Sequence, residues 1–381
     1  MSVYTIAGGR YWDAETLDAD VAGLDSLYAG KTAYYGEMHD HSNSGGRSDG
    51  KELLSIWPTE IMPEVGMDFA VIVDHKQSEH MRLPEWDNQK FVGGTEAGVV
   101  LTDEHLIQRA MHYNLIMGDP DKQDALIQFF PAYKFRPDPD HPGINTFSYG
   151  QRTIEALREI AAKTREMGGF FVHAHPLFPS FMRTEEKTDY WMGDYTGFEI
   201  YTSSYRDFLP SLEYCKAAYD IWVDLLNMGK KFYATCGSDS HRRSNSRSLA
   251  TFYAKSTDSK VLLELMRSGN FTAGPIGIRM AVGDTCMGGE TDFAGKRLVV
   301  SAGDFHTKVY EADHSYRLNV YNEKGLVLSR ELTGTDTVYC AIETENCMYY
   351  RAEVYDVTGD YAVSVGNPVW NIKNNKEDKE C

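Results

Sequence analysis

Positive charge is in short supply in this chain. Against 56 Asp and Glu stand only 38 Lys and Arg, which leaves a net charge of −18 with His neutral. Phosphate backbones are held by basic surfaces, so no standing nucleic-acid partner is expected. Cysteine is sparse as well. The six thiols, Cys215, Cys236, Cys286, Cys340, Cys347 and Cys381, are scattered and none forms a C-x-x-C pair. That excludes a zinc ribbon and a thioredoxin-type motif, and scattered thiols suit a reducing compartment. No apolar run approaches the length needed to span a membrane. The opening MSVYTIAGGRYWDAETLDAD lacks the charged start and apolar core of a signal peptide. A cytoplasmic protein without a membrane partner is the expectation.

What remains is ordinary in bulk. Hydrophobic content of 42% and charged content of 25% describe a soluble globular chain. Its 381 residues allow two domains, or one large barrel with an appendage. The informative stretch is Tyr34 to Gly50, YYGEMHDHSNSGGRSDG. Residues 31–36 suit a short strand, and in a strand positions i and i+2 share a face. His39 and His41 would then point the same way, as two prearranged metal ligands, with Asp49 following on the next loop.

The rest of the chain repeats a rhythm of strand, polar terminus and helix. Phe69 to Val73 is an apolar run suited to a strand buried on both faces, and it ends in Asp74 and His75. Phe91 to Glu96 ends in a carboxylate, and His112 to Met117 is a strand carrying a His. Asp119 to Tyr149 is dense in Pro, Asp and Gly and is expected to be an irregular excursion. Thr153 to Met167 has helical spacing and stops at Gly168-Gly169. Phe170 to Pro176 is a strand ending at His175, and Gly197 to Tyr201 another, carrying Glu199. A helix over 209–228 leads to Phe232 to His241, a strand ending in Asp239 and His241. Alternating β and α segments predict parallel strands joined by crossover helices. His, Asp and Glu gather at the ends of those strands, the face of a β/α barrel where active sites form. His39, His41, His75, His112, His175 and His241 all fall there, among only 12 His in the chain.

From about Pro275 the rhythm changes to short strands separated by turns, the pattern of a small antiparallel β-sandwich. It carries no motif and reads as a packing or dimerisation module. The expected organisation is a leader at 1–30 packed on a barrel at 31–274, a sandwich at 275–370 and a mobile tail at 371–381.

Several polar residues have plainer readings. His173 shares a strand face with His175 and is expected to pack or to support it. His80, His141 and His306 lie in polar stretches and read as solvated. Asp74 is expected to orient its neighbour or cap a turn. Glu199 reads equally as a hydrogen-bonding support or a substrate contact. Arg47, Arg183 and Arg242 are candidate substrate contacts, since Arg recognises anions. For these and for Arg243, a surface salt bridge is the plainer fate.

In order, His39-x-His41, Ser48-Asp49-Gly50, Asp74-His75, Glu96, His112, His175-Pro176, Glu199 and Gly237-Ser-Asp-Ser-His241 resemble the motif set of the PHP family, named for polymerase and histidinol phosphatase. The resemblance runs from about Ala33 to Ala273. It implies a distorted seven-stranded β/α barrel holding two or three divalent metal ions. His39, His41, Glu96 and Asp239 would hold one ion. Glu96 would bridge to a second, completed by His112 and His175. Asp49, His75 and His241 would hold a third. Relative to the family, the loop from His41 to Asp49 is lengthened around Gly45-Gly46, so the third ion depends on whether Asp49 reaches it. His105 competes with His112 for one place, and the strand-like surroundings of His112 favour the latter.

Imidazole with carboxylate suits zinc, manganese or iron. Two such ions sharing a carboxylate would activate a bridging hydroxide as the nucleophile. The implied activity is hydrolysis of a small anionic ester, a phosphoester first. The C-terminal region and its ending Gly366-Asn-Pro-Val-Trp370 are similar to the branch that includes carbamate-ester hydrolases, so an amide or carbamate ester is the alternative. A non-catalytic binding protein is the reading from another class. The expected partner is a small-molecule substrate, with a homo-oligomer among the allowed states.

Overall fold

The computed structural model describes residues 14–44, 48–75, 77–102, 108–129, 150–152, 154–177, 190–202, 212–243, 248–307 and 313–373. Over these residues the fold is mixed α/β. The chain divides into two compact units. One comprises Tyr34–Ala250 and Ser256–Arg267, the other Met1–Ala33, Thr251–Lys255 and Ser268–Cys381.

Helix α1 (Ala14–Leu27) opens the described chain and belongs to the second of these units. The first unit carries β1 (Thr32–Asp40), α2 (Met62–Val65), β2 (Phe69–Ile72), β3 (Phe91–Thr102), β4 (Gln108–Ile116) and α3 (Pro120–Phe129). It continues with β5 (Gly150–Arg152), α4 (Ile154–Glu166), β6 (Phe170–Ala174), β7 (Thr196–Thr202), α5 (Leu212–Asn227), β8 (Phe232–Gly237) and α6 (Ser259–Ser268). Its strands lie in the order β1-β2-β3-β4-β6-β7-β8, with β5 beside β3. At the end of that path Asp40 bridges in parallel to Ser240. There the His41 amide donates to the Ser240 carbonyl (3.1 Å) and the Asp239 amide to the His39 carbonyl (3.0 Å).

The expectation of uniformly parallel strands needs correction. β1, β2 and β3 are parallel, as are β6, β7 and β8, but β4 runs antiparallel to both β3 and β6. The cause is connection length. Thr102 and Gln108 end and begin consecutive strands, and so short a link can only reverse the chain, because a parallel crossover takes a dozen residues or more.

Burial explains the strand sequences. Every residue of β2 is wholly buried, so the run Phe69 to Ile72 has no polar alternation. The helices bury one stripe each. In α4 this is Leu157, Ile160, Ala161 and Thr164, and in α5 it includes Ala218, Ile221, Trp222 and Leu225, the spacing of a 3.6-residue repeat. The run before β2 is broken by its prolines. It passes through a 3₁₀ turn (Leu54–Ile56) and a π turn (Trp57–Ile61) before α2, with Pro58 and Pro63 each near an N-terminus, where a missing amide costs nothing. Trp57, Ile61, Met62 and Val65 still reach the core beside Ala70, Ile72 and Phe91. The predicted irregular excursion after Asp119 begins instead as helix α3; Asp119 Oδ1 accepts the Asp121 and Lys122 amides at its start (both 3.0 Å). Residues 130–149 lie outside the described set.

The second unit adds β9 (Ala250–Ala254), β10 (Thr272–Ala273), β11 (Ile276–Val282), β12 (Thr285–Cys286), β13 (Glu290–Thr291) and β14 (Arg297–Phe305). Then follow β15 (Tyr316–Asn322), β16 (Gly325–Leu332), β17 (Val338–Glu343), β18 (Tyr349–Asp356) and β19 (Tyr361–Asn371). Strands β9, β11 and β19 extend what the sequence pattern revealed. Within the unit, strands run in the order β16-β15-β18-β19-β10-β9 with β13 on β19, and a second sheet has the order β12-β11-β14-β17. Side chains of both sheets meet in one core, with Ile278, Met280, Leu298 and Val300 from one and Leu318, Val320, Tyr350 and Val354 from the other. Helix α1 packs through Leu24, and Tyr28 just after it, on Tyr253, Ala281 and Val299. Arg279 ties it down, donating to Asp25 Oδ1 and to the Tyr339 hydroxyl (both 2.8 Å). His306, read as solvated, is buried here, and its amide bonds to the Pro275 carbonyl (3.0 Å). No helix among the described residues is long and apolar enough to cross a membrane.

Candidate metal centre

Strand alternation does what the His-x-His spacing predicts. His39 lies near the end of β1 and His41 just beyond it, both buried, with ring centroids 5.3 Å apart. Seven further residues join them. His75 follows β2, Glu96 lies within β3, His112 within β4, His175 just after β6, and Asp239 and His241 just after β8, while Asp49 comes from the loop beyond His41.

Two groups of donor atoms result, each with its ligand atoms within 4.8 Å of one another: His39, Glu96, His175 and Asp239, and His41, Asp49, His75 and His241. Glu96 is the hub. Its Oε2 lies 3.1 Å from His41 Nε2, 3.2 Å from His75 Nδ1 and 3.6 Å from His39 Nε2. Its Oε1 lies 2.6 Å from His112 Nδ1 and 3.2 Å from His175 Nε2. Asp239 Oδ1 stands 3.1 Å from His41 Nε2 and 3.4 Å from His39 Nε2. Asp49 does reach the site, placing Oδ2 3.2 Å from His241 Nε2 and 3.4 Å from His75 Nε2.

Most of these separations would suit atoms around shared ions. Bonds of about 2.0–2.2 Å put the ligand atoms of one ion roughly 3.0–3.5 Å apart. The hydrogen bonding points the same way. His39 Nε2 and His41 Nδ1 are buried without a hydrogen-bond partner, a costly condition for polar atoms. The donors are nitrogen and oxygen, with no thiol among them. Both groups could therefore hold divalent metal ions.

The groups differ in exposure. His39 and Glu96 are fully buried, whereas the side chains of Asp49, His241 and His75 are 52%, 35% and 21% exposed. The second group forms the rim and the first the floor.

Burial opposes charge throughout the site, yet the partners outweigh it at most positions. Glu199, Glu96 and Asp239 lift His39 well above the ordinary imidazole value against its own desolvation. Against the same penalty, contacts to Glu96 and Asp239 raise His175 to about 9. Glu96 and Asp239 stay below the usual carboxylate range despite burial, held by the surrounding imidazoles, and Asp49 is held low by His241 and His75. At His112 burial prevails and the value falls, even beside Glu96. Divalent ions bind unprotonated imidazole, so ion and proton compete for these nitrogens.

The supports of the site are as specific as its ligands. His175 and Asp239 sit at φ 26° and 50°, a region that non-glycine residues occupy at a cost and mostly at functional sites. Gly237 ends β8 and faces β1, where a Cβ would stand 2.3 Å from His39 Cβ and 2.7 Å from Glu199 Oε1. Asp74 is a support and not a ligand: its carboxylate accepts the Ser42 amide (2.6 Å), the Ser42 hydroxyl (2.7 Å) and the Ser44 hydroxyl, anchoring the loop that carries Asp49. His80, read as solvated, is buried with Nδ1 3.4 Å from Asp74 Oδ2. The residues around it are polar, yet this short 3₁₀ turn (Glu79–Arg82) folds His80 and Met81 inward. His173 is wholly buried among Tyr113, Phe171, Tyr190 and Phe198, and burial drops its pKa to about 3. It packs.

Glu199 is buried against His39 and His175, the supporting one of its two readings. Arg242 is exposed at the end of the Asp239–His241 turn, and Arg243 pairs with Glu60 and Glu64 on the surface. Arg47, Arg183, His105 and His141 lie outside the described residues. Gly237 and the Ser42–Asp74 anchor were missed by sequence reasoning. The Gly237-Ser-Asp-Ser-His241 motif contained the signal for the first, a glycine directly preceding a ligand turn. Comparison of the chain with protein-family models and with curated proteins finds no match.

Proposed function

We propose that this chain is a metal-dependent hydrolase of the PHP type that cleaves a small anionic ester, a phosphoester in the first instance. One observation carries the reading: eight His, Asp and Glu residues from separate stretches of the chain fall into two adjoining donor groups, and His112 joins them through Glu96. Two or three zinc, manganese or iron ions would occupy them. The strand path from β1 to β8, meeting β1 again at the Asp40–Ser240 bridge, supports the reading of a seven-stranded barrel with the donors at one end. Two sheets around one core support that of an accessory sandwich.

Bound ions would supply Lewis acidity and a nucleophilic water at neutral pH. The chain's own residues provide the geometry. Glu96, touching both groups, fixes the spacing between floor and rim. Asp49, His75 and His241 form the open side, from which a substrate can approach, and the buried floor excludes bulk water. The reach of Asp49 to His75 and His241 favours phosphoester over amide or carbamate. An ion held at this rim would add positive charge where a phosphoryl transition state gathers negative charge, and a carbonyl, with its single developing oxyanion, needs it less. A surface as acidic as this one fits a small substrate better than a nucleic acid.

The test is a turnover screen of protein reconstituted in turn with zinc, manganese and iron. Phosphomonoesters, phosphodiesters, carboxyl esters, amides and carbamates are each offered. Phosphoester cleavage lost on chelation and restored by metal is expected. Cleavage confined to amides or carbamates would replace the first reading with the second, and metal binding without turnover on any class would favour a binding protein.

A further inference from the structure

Glu199 lies in β7, buried, and its two oxygens serve two different ligands. Oε1 is 3.2 Å from His39 Nδ1. Oε2 accepts the His175 backbone amide at 2.7 Å and the Thr202 hydroxyl at 3.3 Å. We propose that Glu199 is the positioning residue of the floor group, holding His39 in the tautomer whose Nε2 is free for a divalent ion while fixing the backbone that presents His175. The inference rests on the reading of this cluster as a metal centre.

The chemistry follows from donors and acceptors. An ionised carboxylate only accepts, so the His39 nitrogen facing it carries a proton. That leaves Nε2 with the lone pair. Nε2 is also the nitrogen that faces Glu96 Oε2 (3.6 Å) and Asp239 Oδ1 (3.4 Å) and has no hydrogen bond. His175 needs help of another kind. Its φ of 26° is strained for a side-chain-bearing residue, and the short bond from its amide to Glu199 holds it there. Such outer partners set the tautomer and orientation of metal-ligating His. Room for the carboxylate comes from Gly237, whose missing Cβ would otherwise sit 2.7 Å from Oε1.

Glutamine cannot do both jobs. It has one accepting oxygen and one donating nitrogen in place of two acceptors. With the oxygen toward the His175 amide, its NH₂ faces His39 Nδ1 and drives the proton onto Nε2. Turned over, it sets NH₂ against the His175 N–H.

The experiment compares zinc affinity of the full chain and of E199Q by competition with a chromogenic chelator. Alongside it runs a nitrogen-15 spectrum of the zinc-loaded unmodified protein, with His39 signals identified by their loss in H39Q. Zinc held by the floor should bind E199Q about 10- to 100-fold more weakly, while zinc held by Asp49, His75 and His241 keeps its affinity. The His39 spectrum should show a protonated Nδ1 and a metal-bound Nε2. Unchanged affinity in folded E199Q, or His39 bound through Nδ1, overturns the positioning role. Should E199Q fail to fold, the spectrum of the unmodified protein decides alone. An unmodified chain that takes up no zinc overturns the metal centre itself and the inference with it.

Discussion

Replacing Gly237 with alanine tests whether the floor of the site depends on the contact between β8 and β1. The added Cβ would lie 2.3 Å from His39 Cβ, 2.9 Å from His39 N and 2.7 Å from Glu199 Oε1. Two of the three neighbours belong to the backbone or the root of a side chain, so no flexible tip can swing aside. Going from 2.3 Å to ordinary contact at 3.4 Å or more means parting the strands by about 1 Å. Metal sites tolerate roughly 0.2 Å of error in ligand position, several times less than this displacement. Overpacking of a buried site also costs about 1–3 kcal/mol of stability. The expected outcome for G237A is therefore a fold weakened by that amount and loss of the floor metal, with zinc on the rim retained. Urea unfolding of the metal-free protein measures the first effect, and elemental analysis after reconstitution and gel filtration the second. A G237A protein that keeps its full metal content and unfolds within about 0.5 kcal/mol of the parent would refute the claim that close approach at this glycine builds the floor.

Other substitutions separate ligands from bystanders. His39→Ala and Asp239→Ala should each cost the floor ion and abolish turnover, whereas His306→Ala should leave metal content intact; elemental analysis of the three reads this directly. Asp49→Asn should weaken only the rim ion and cut phosphoester turnover by orders of magnitude. If the true substrate is an amide or carbamate, the same change should cost far less, and the two rates measured side by side decide. His80→Phe should alter acid stability. Burial holds His80 below the ordinary imidazole value, while in the unfolded chain it titrates near 6.5, about the model-peptide value. Between those values the unfolded state binds a proton that the fold refuses, so this contribution is intact above about pH 6.5 and lost as pH falls toward the folded value. The Phe variant should lose less stability between about pH 7.5 and pH 5.5 in metal-free urea titrations, and parallel losses would contradict the assignment.

Much of the site was legible because a strand repeats every two residues. His39 and His41 stand two apart at the end of β1, whereas Asp239 and His241, equally spaced, lie just beyond β8, and a buried strand such as Phe69 to Ile72 advertises its end by the first charges that follow it. The motifs lie at local boundaries, and it was the resemblance to a known motif order that joined them into one set. What stayed hidden depends on tertiary contact. Nothing in the sequence around Gln108 to Ile116 reveals that β4 is reversed, because strand direction is set by the length of a connection and by the neighbours on either side. His80 and His306 were misjudged for a related reason: local polarity predicts exposure only where no other segment covers the residue. The reach of Asp49 belongs to the same class. Spacing from His41 does not say whether it arrives, and the bonds of Ser42 and Ser44 to Asp74 at the start of the loop are long-range contacts that no local pattern announces.

A network of buried ion pairs without metal is the plain alternative for such a cluster, and its energetics are poor. Protonating enough imidazoles to balance Glu96, Asp239 and Asp49 would crowd cations against one another, with His41 and His241 rings 4.2 Å apart and His41 and His75 4.6 Å apart. Like charges at that distance repel, and the burial of His39 and His41 denies them the water that would screen it. A network of neutral hydrogen bonds fares no better, since it would leave His39 Nε2 and His41 Nδ1 without partners, each at a cost of about 1–3 kcal/mol. Divalent cations remove both difficulties together. They neutralise the carboxylates while leaving the imidazoles uncharged, and they give the unpartnered atoms something to bind. The supporting residues fit the same logic. Glu199 and Asp74 are buried acids that touch a ligand or its loop and stand back from the centre of the cluster, where they would orient donors without adding to the crowd of charges there.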